Sequence, residues 1–256
     1  MEAICNDLAA EHLALDGFVA KLDEAGWSAP TPASGWSVRD QISHLWFFDQ
    51  RATMALQDPD AFQADMVDLI AGGGTALSVA PGRALTGRQL LSAWRNDREA
   101  LVAASRTIDA SARIPWYGPA MGARSFITAR LMETWAHGQD VVDALEATRE
   151  PTARLRHVAH IGVRARAFSY LINGKTPPAD PVRVALTAPD GSLWEWDTSA
   201  ADSVQGSALD FCLVVTQRKH IDDTDLSVHG SLAVEWMKIA QAFAGEPGGG
   251  RVATGR

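Results

Sequence analysis

The chain has 256 residues, long enough for one large or two modest domains around a sizeable core. A hydrophobic fraction of 46% and a charged fraction of 21% are those of an ordinary soluble globular protein, and a net charge of -8 argues against nucleic-acid or anionic-membrane partners. Cys5 and Cys212 lie far apart with no CxxC pair, so neither a disulfide framework nor a cysteine-ligated zinc site is expected. Two reduced, buried cysteines fit a cytoplasmic protein. The first residues carry no signal-peptide pattern, and no apolar run approaches the ~18 residues of a membrane span.

Taken in chain order, Ile4, Leu8, His12, Leu15, Val19 and Leu22 recur at helical spacing and predict a first amphipathic helix that stops near Gly26. Residues 29–35, rich in Pro and Gly, read as a loop. Ser37, with Asp40 three residues on, opens a second helix through Val38, Ile42, Leu45, Phe48, Ala52 and Leu56. A short helix over about 60–70 follows, then a flexible Gly72-Gly73-Gly74 stretch that lacks the Lys-Ser/Thr of a phosphate loop. Thr86 caps a third long helix to about Ile108, and the 114–119 loop leads into a fourth over about 123–147. Thr152 is read as the cap of another helix ending at Asn173-Gly174.

From Pro181 the period changes to two: Val182 to Leu186 and Leu193 to Trp196 flank a Pro-Asp-Gly-Ser turn and predict a hairpin. A short strand near Val204, a helix over about 207–216 and a last helix over 232–243 complete the pattern. The fold class expected is α+β: a four-helix bundle over 1–175, a small α+β domain over 181–244 and a flexible tail over 245–256.

The candidate chemistry lies on two of the long helices. Glu133 and His137 are four residues apart and share one face, and His44 belongs to the second helix. If those helices pack together, three metal-ligand types converge and leave a coordination position open, as in a catalytic site. The local alternative is an intrahelical Glu–His pair worth a few tenths of a kcal/mol.

The residues around these three carry a resemblance. The segment Gly35 to Leu45, containing Trp36, Asp40 and His44, resembles the second-helix signature of the DinB-like superfamily. The segment Arg130 to Val141 is similar to the matching helix of its mycothiol-dependent maleylpyruvate isomerase branch. The resemblance implies a DinB-like metal-binding bundle with a small C-terminal domain of sterol-carrier-like type. It places the family's metal ligands on His44, Glu133 and His137, and a functional Arg on Arg218, where a guanidinium would anchor a substrate carboxylate. It further implies a divalent metal, zinc foremost with iron or nickel as alternatives, and mycothiol or another low-molecular-weight thiol. In that chemistry a thiolate adds to a cis double bond, the resulting single bond rotates, and elimination leaves the trans alkene. The Trp116-Tyr117-Gly118-Pro119 loop and the Trp-rich second domain point to an offshoot of the isomerase rather than the isomerase itself.

The expected function is therefore a metal- and thiol-dependent isomerase or transferase acting on a small acidic substrate. A hydrolase or lyase using metal-bound water, and a non-catalytic metal-binding or apolar-ligand carrier, are the other readings. Arg218 is equally a solvated cation at a helix C-terminus. Arg130 and Asp140 read either as groups orienting a ligand or as an intrahelical charge pattern, and Trp116 and Tyr117 as pocket-mouth or core-covering aromatics. His12 reads as a buried histidine satisfied by one hydrogen bond, or as a fourth ligand. His157 and His160 form a secondary His-x2-His pair; His220 and His229 carry no signal of their own.

Overall fold

The computed structural model describes residues 1–71 and 74–255. Of the predicted flexible glycines, Gly72 and Gly73 lie outside them. The chain divides into two compact units, Met1–Arg149 and Glu150–Arg256.

The first unit holds α1 (Glu2–Val19), α2 (Glu24–Trp27), α3 (Val38–Gln57), α4 (Pro59–Ala71), a 3₁₀ segment Gly74–Val79, α5 (Ala80–Arg83), α6 (Gly87–Thr107) and α7 (Ala123–Ala144). Strands β1 (Arg113–Ile114) and β2 (Met121–Gly122) pair antiparallel just before α7, so the 114–119 loop is the turn of a small hairpin. The helix expected to run to Gly26 is two: α1 ends at Val19, and Asp23 accepts the Gly26 N–H to start α2. Both long caps anticipated from sequence are present, and Ser37–Asp40 and Thr86–Gln89 each form a reciprocal capping box.

Helices α1, α3, α6 and α7 form the bundle, with α3 and α1 each packed between α6 and α7. Their apolar stripes meet in a core of Leu15, Val19, Ile42, Leu45, Leu90, Leu91, Trp94 and Val141, closed by Trp27 from α2. The bundle interior also carries charge. Asp16 accepts from Arg95 and Arg98, and buried Asp49 accepts from Arg130 Nη2 at 2.8 Å and from the Trp94 indole at 3.1 Å. Each buried cation is thereby matched to a carboxylate, the condition under which such groups are tolerated.

The second unit contains α8 (Leu155–Arg164), α9 (Arg166–Ile172), β3 (Arg183–Thr187), β4 (Leu193–Trp196), β5 (Ser203–Ser207), α10 (Ala208–Val215), β6 (Ser227–His229) and α11 (Ser231–Ile239). The strands form one sheet in the order β4-β3-β5-β6, with β3 parallel to β5 and the other pairs antiparallel. The division thus falls ahead of α8, not at 175–181 as the change of sequence pattern suggested. Packing explains it: α8 lies on α10 so closely that a Cβ on Gly162 would sit 2.7 Å from Val215 Cγ2. Helix α10 ends in a Schellman turn, with Gln217 at φ 60° and the Arg218 N–H donating to Leu213 O. The C-terminal residues, expected to fray, are hydrogen-bonded within the unit. Gly248 N–H donates to Gln241 Oε1, and the Thr254 and Gly255 N–H groups donate to the Asp223 carboxylate.

Candidate metal centre

Helix α3 contributes His44 and α7 contributes Glu133 and His137; their donor atoms all lie within 4.8 Å of one another. Among the described residues they form a group of the kind that holds a metal ion. His137 Nε2 faces Glu133 Oε2 at 3.4 Å, with the side chains 12% and 23% exposed, so the pair is shielded but reachable. Two donors on one tetrahedral zinc stand about 3.3 Å apart, close to that separation. The rings of His44 and His137 are 4.5 Å apart between centroids.

The other imidazole nitrogens are occupied. His137 Nδ1 is 2.6 Å from Gln41 Oε1, and His44 Nδ1 is 2.8 Å from Ser78 Oγ. Gln41, fully buried on α3, sits one turn before His44. Its amide orientation follows from the next residue in the chain of bonds. Thr31 Oγ1 donates to Trp36 O at 2.9 Å, so it accepts from Gln41 Nε2 at 3.0 Å. Gln41 Oε1 is thereby left to accept from the His137 Nδ1–H, which leaves Nε2 as the ring nitrogen that faces Glu133. Where Nε2 carries no proton, its lone pair and the Glu133 carboxylate are two donors set as a single ion would need them. The donor set therefore fits a divalent metal.

The local backbone is built to hold these groups. The turn before α3 places Trp36 flat against His137, with centroids 5.9 Å apart and planes 14° apart, and Gly35 takes φ 77°, a conformation costly for other residues. On the far side, Ser43 Oγ donates to the Ser78 and Val79 carbonyls and accepts from Gly82 N–H, clipping the 78–82 segment to α3. A Cβ on Gly82 would fall 2.4 Å from that of Ser43, so only glycine fits there. Phe48 packs on His44 at 4.7 Å and joins Trp116 and Tyr117 in an aromatic cluster, which places those loop residues beside the site. Burial pushes the Tyr117 phenol up to about 12 and keeps it neutral.

The remaining candidates separate clearly. Arg130 is spent on Asp49 and does not orient a ligand; Asp140 is buried. His12 is buried, but neither nitrogen has a hydrogen-bond partner, and its Nε2 stands 3.8 Å from Asp49 outside the metal-ligand group. The expected single hydrogen bond is therefore absent, because Arg130 and Trp94 have drawn Asp49 to themselves. His160 accepts from the Trp196 indole, and His220 accepts the Asp222 N–H. Arg218 donates to Thr216 O at 2.6 Å and lies 5.8 Å from the Phe243 ring. Sequence reasoning missed Gln41, Thr31, Trp36 and Ser78 as site residues. Trp36 and Gln41 carried a signal, both lying in the Gly35–Leu45 segment and Gln41 standing i,i+3 to His44.

A family profile described as the mycothiol maleylpyruvate isomerase N-terminal domain matches residues 8–142, more than half of the chain. Uncharacterized protein MT0041 and Uncharacterized protein Rv0036c, from the CDC 1551 / Oshkosh and ATCC 25618 / H37Rv strains of Mycobacterium tuberculosis, are each 44% identical over 248 residues, covering 96% of this chain and 96% of theirs. The crystal structure of the mycothiol-dependent maleylpyruvate isomerase is similar with a TM-score of 0.59 at 16% identity, over 91% of this chain and 93% of that one. A histidine-to-alanine mutant of that isomerase gives 0.57 at 16% identity, over 85% and 89%. At that identity the structural likeness speaks for the fold alone.

Proposed function

We propose, since the chain belongs to the mycothiol maleylpyruvate isomerase N-terminal domain family, that it is a metal- and thiol-dependent enzyme, an isomerase or transferase acting on a small acidic molecule. The observation that carries this reading is the opposed pair at the centre of the site. His137 Nε2 and Glu133 Oε2 stand 3.4 Å apart, with Nδ1 of the same ring already engaged by Gln41. His44, Glu133 and His137 would hold the ion, and two neutral imidazoles with one carboxylate leave a divalent metal a net charge near +1. When bound, such an ion supplies a Lewis acid that lowers the pKa of a thiol or water. Zinc suits this mixed N/O donor set and a thiolate; iron and nickel share the ligand preference.

Two further observations support a thiol from outside the chain. Cys5 and Cys212 are both buried, and burial pushes both thiols up, so neither is a ready thiolate. Mycothiol or a comparable small thiol would fill that role. Trp36 and Phe48, packed on the ligand imidazoles, restrict water around them. Arg218 is proposed as the cation that recognises a substrate carboxylate.

The test is metal analysis of the purified protein beside His137→Ala and Glu133→Ala. About one equivalent of divalent metal is expected in the parent and little in either variant, with helical circular dichroism retained. A low-molecular-weight thiol should bind the loaded parent and not the metal-free protein. A full equivalent of metal in both variants would sink the site.

A further inference from the structure

We infer that Gln41, held by Thr31, is the positioning residue that fixes the ring of His137 for metal binding, so that affinity is set by a loop-to-helix relay as well as by the three ligands. The inference rests on the metal reading above.

An imidazole ligates through a nitrogen that carries no proton, and which nitrogen that is depends on the partner of the other one. For His137 the choice is made by a directed chain. The Trp36 carbonyl accepts from both the Thr31 N–H and the Thr31 hydroxyl, at 2.8 and 2.9 Å. The hydroxyl, its proton spent, accepts from Gln41 Nε2, and Gln41 Oε1 accepts from His137 Nδ1–H. Reversing any one bond would set donor against donor or acceptor against acceptor further along, so the chain has one consistent direction. Gln41 is fully buried, and no water competes for its amide. Trp36, whose carbonyl ends the chain, also stacks on the His137 ring, so ring plane and proton position are set by the same short loop. The contact at His44 differs. There the partner of Nδ1 is a serine hydroxyl, a group that can donate or accept, where Gln41 Oε1 can only accept.

The experiment measures zinc affinity by competition with a chromogenic chelator at one pH, together with the ligand-field spectrum of the Co²⁺-loaded protein. Gln41→Leu removes the acceptor at similar volume and should weaken zinc about 10–100-fold, as loss of a ligand-orienting partner does elsewhere. Gln41→Glu keeps an acceptor against Nδ1–H and should stay within about threefold of the parent, with an unchanged Co²⁺ spectrum. A merely structural Gln41 would lower the melting temperature in both variants and leave affinity unmoved. Should Gln41→Leu fail to fold, Thr31→Val decides. It frees the amide to rotate and should weaken zinc by about tenfold, whereas parent-like affinity there overturns the relay. Parent-like affinity in folded Gln41→Leu overturns the inference alone; a parent that binds no zinc, cobalt or iron overturns the metal reading instead.

Discussion

His12 is packed inside the bundle with neither ring nitrogen hydrogen-bonded, and burial pushes its pKa down from 6.5 to about 4, with Asp49 opposing the shift. The folded chain therefore keeps this imidazole neutral where the unfolded chain protonates it. Between pH 6.5 and about 4 the unfolded state binds the extra proton, so stability falls as pH falls, by roughly 3 kcal/mol across the window, and is unaffected by this group above it. His12→Leu should flatten that part of the profile. The comparison is urea midpoints of parent and variant at pH 7 and pH 5; an equal acid loss in both would assign it to other groups. The contrast between His12 and His137 also marks the limit of reading single residues from sequence. Both fall on helical stripes, yet His137 meets a hydrogen-bond partner in Gln41, 96 positions away in the chain. Spacing within one helix reveals which residues share a face. It does not reveal what the opposite wall brings to them.

At the scale of elements, the segment that braces the site is short and depends on close approach. Helix α5 lies on α3 because Gly82 has no side chain; a Cβ there would stand 2.4 Å from Ser43 Cβ and 2.5 Å from its hydroxyl. Gly82→Ala must lift α5 and disturb the Ser43 bonds to residues 78 and 79. A cost of about 1–3 kcal/mol is expected, seen as a melting temperature lower by several degrees. A melt coincident with the parent's would show that α5 shifts freely. The helices α3 and α6 were legible because their starts are local events: a hydroxyl at the cap and a partner three residues on. The break between α8 and α9 at Ala165 had no Gly or Pro to announce it. Strand β6, three residues long, alternates too briefly to register and exists through its pairing with β5. The 114–119 loop concealed a hairpin for the same reason, its two strands having two residues each.

Across the whole molecule the proposed tasks divide between the two units. All three ligand residues belong to Met1–Arg149, while Arg218 belongs to Glu150–Arg256 at the end of α10. Metal binding and carboxylate recognition should therefore separate by mutation. Arg218→Ala is expected to retain the full metal content of the parent and to raise KM for a carboxylate substrate by at least tenfold; Arg218→Lys should recover part of this, because a point charge replaces a fork. An Arg218→Ala protein with unchanged KM would leave the residue to the Schellman turn, where its N–H already serves. Among the described residues no helix is long and apolar enough to cross a membrane. The α+β class was legible from the change of period at Pro181. The division ahead of α8 was not, since a helix shows its stripe in sequence but not the surface the stripe will cover.

The stacking of Trp36 on His137 has an optical consequence. Indole emission responds to an aromatic ring lying flat against it, and this ring is one that the proposed ion would touch. A closed-shell ion such as zinc would alter the charge on that ring without offering a new route for the excited state to decay. A paramagnetic ion at the same place would open one. Trp36 would thus be a fluorophore beside the proposed metal ligands, and its share of the emission from nine tryptophans would record which ion has arrived.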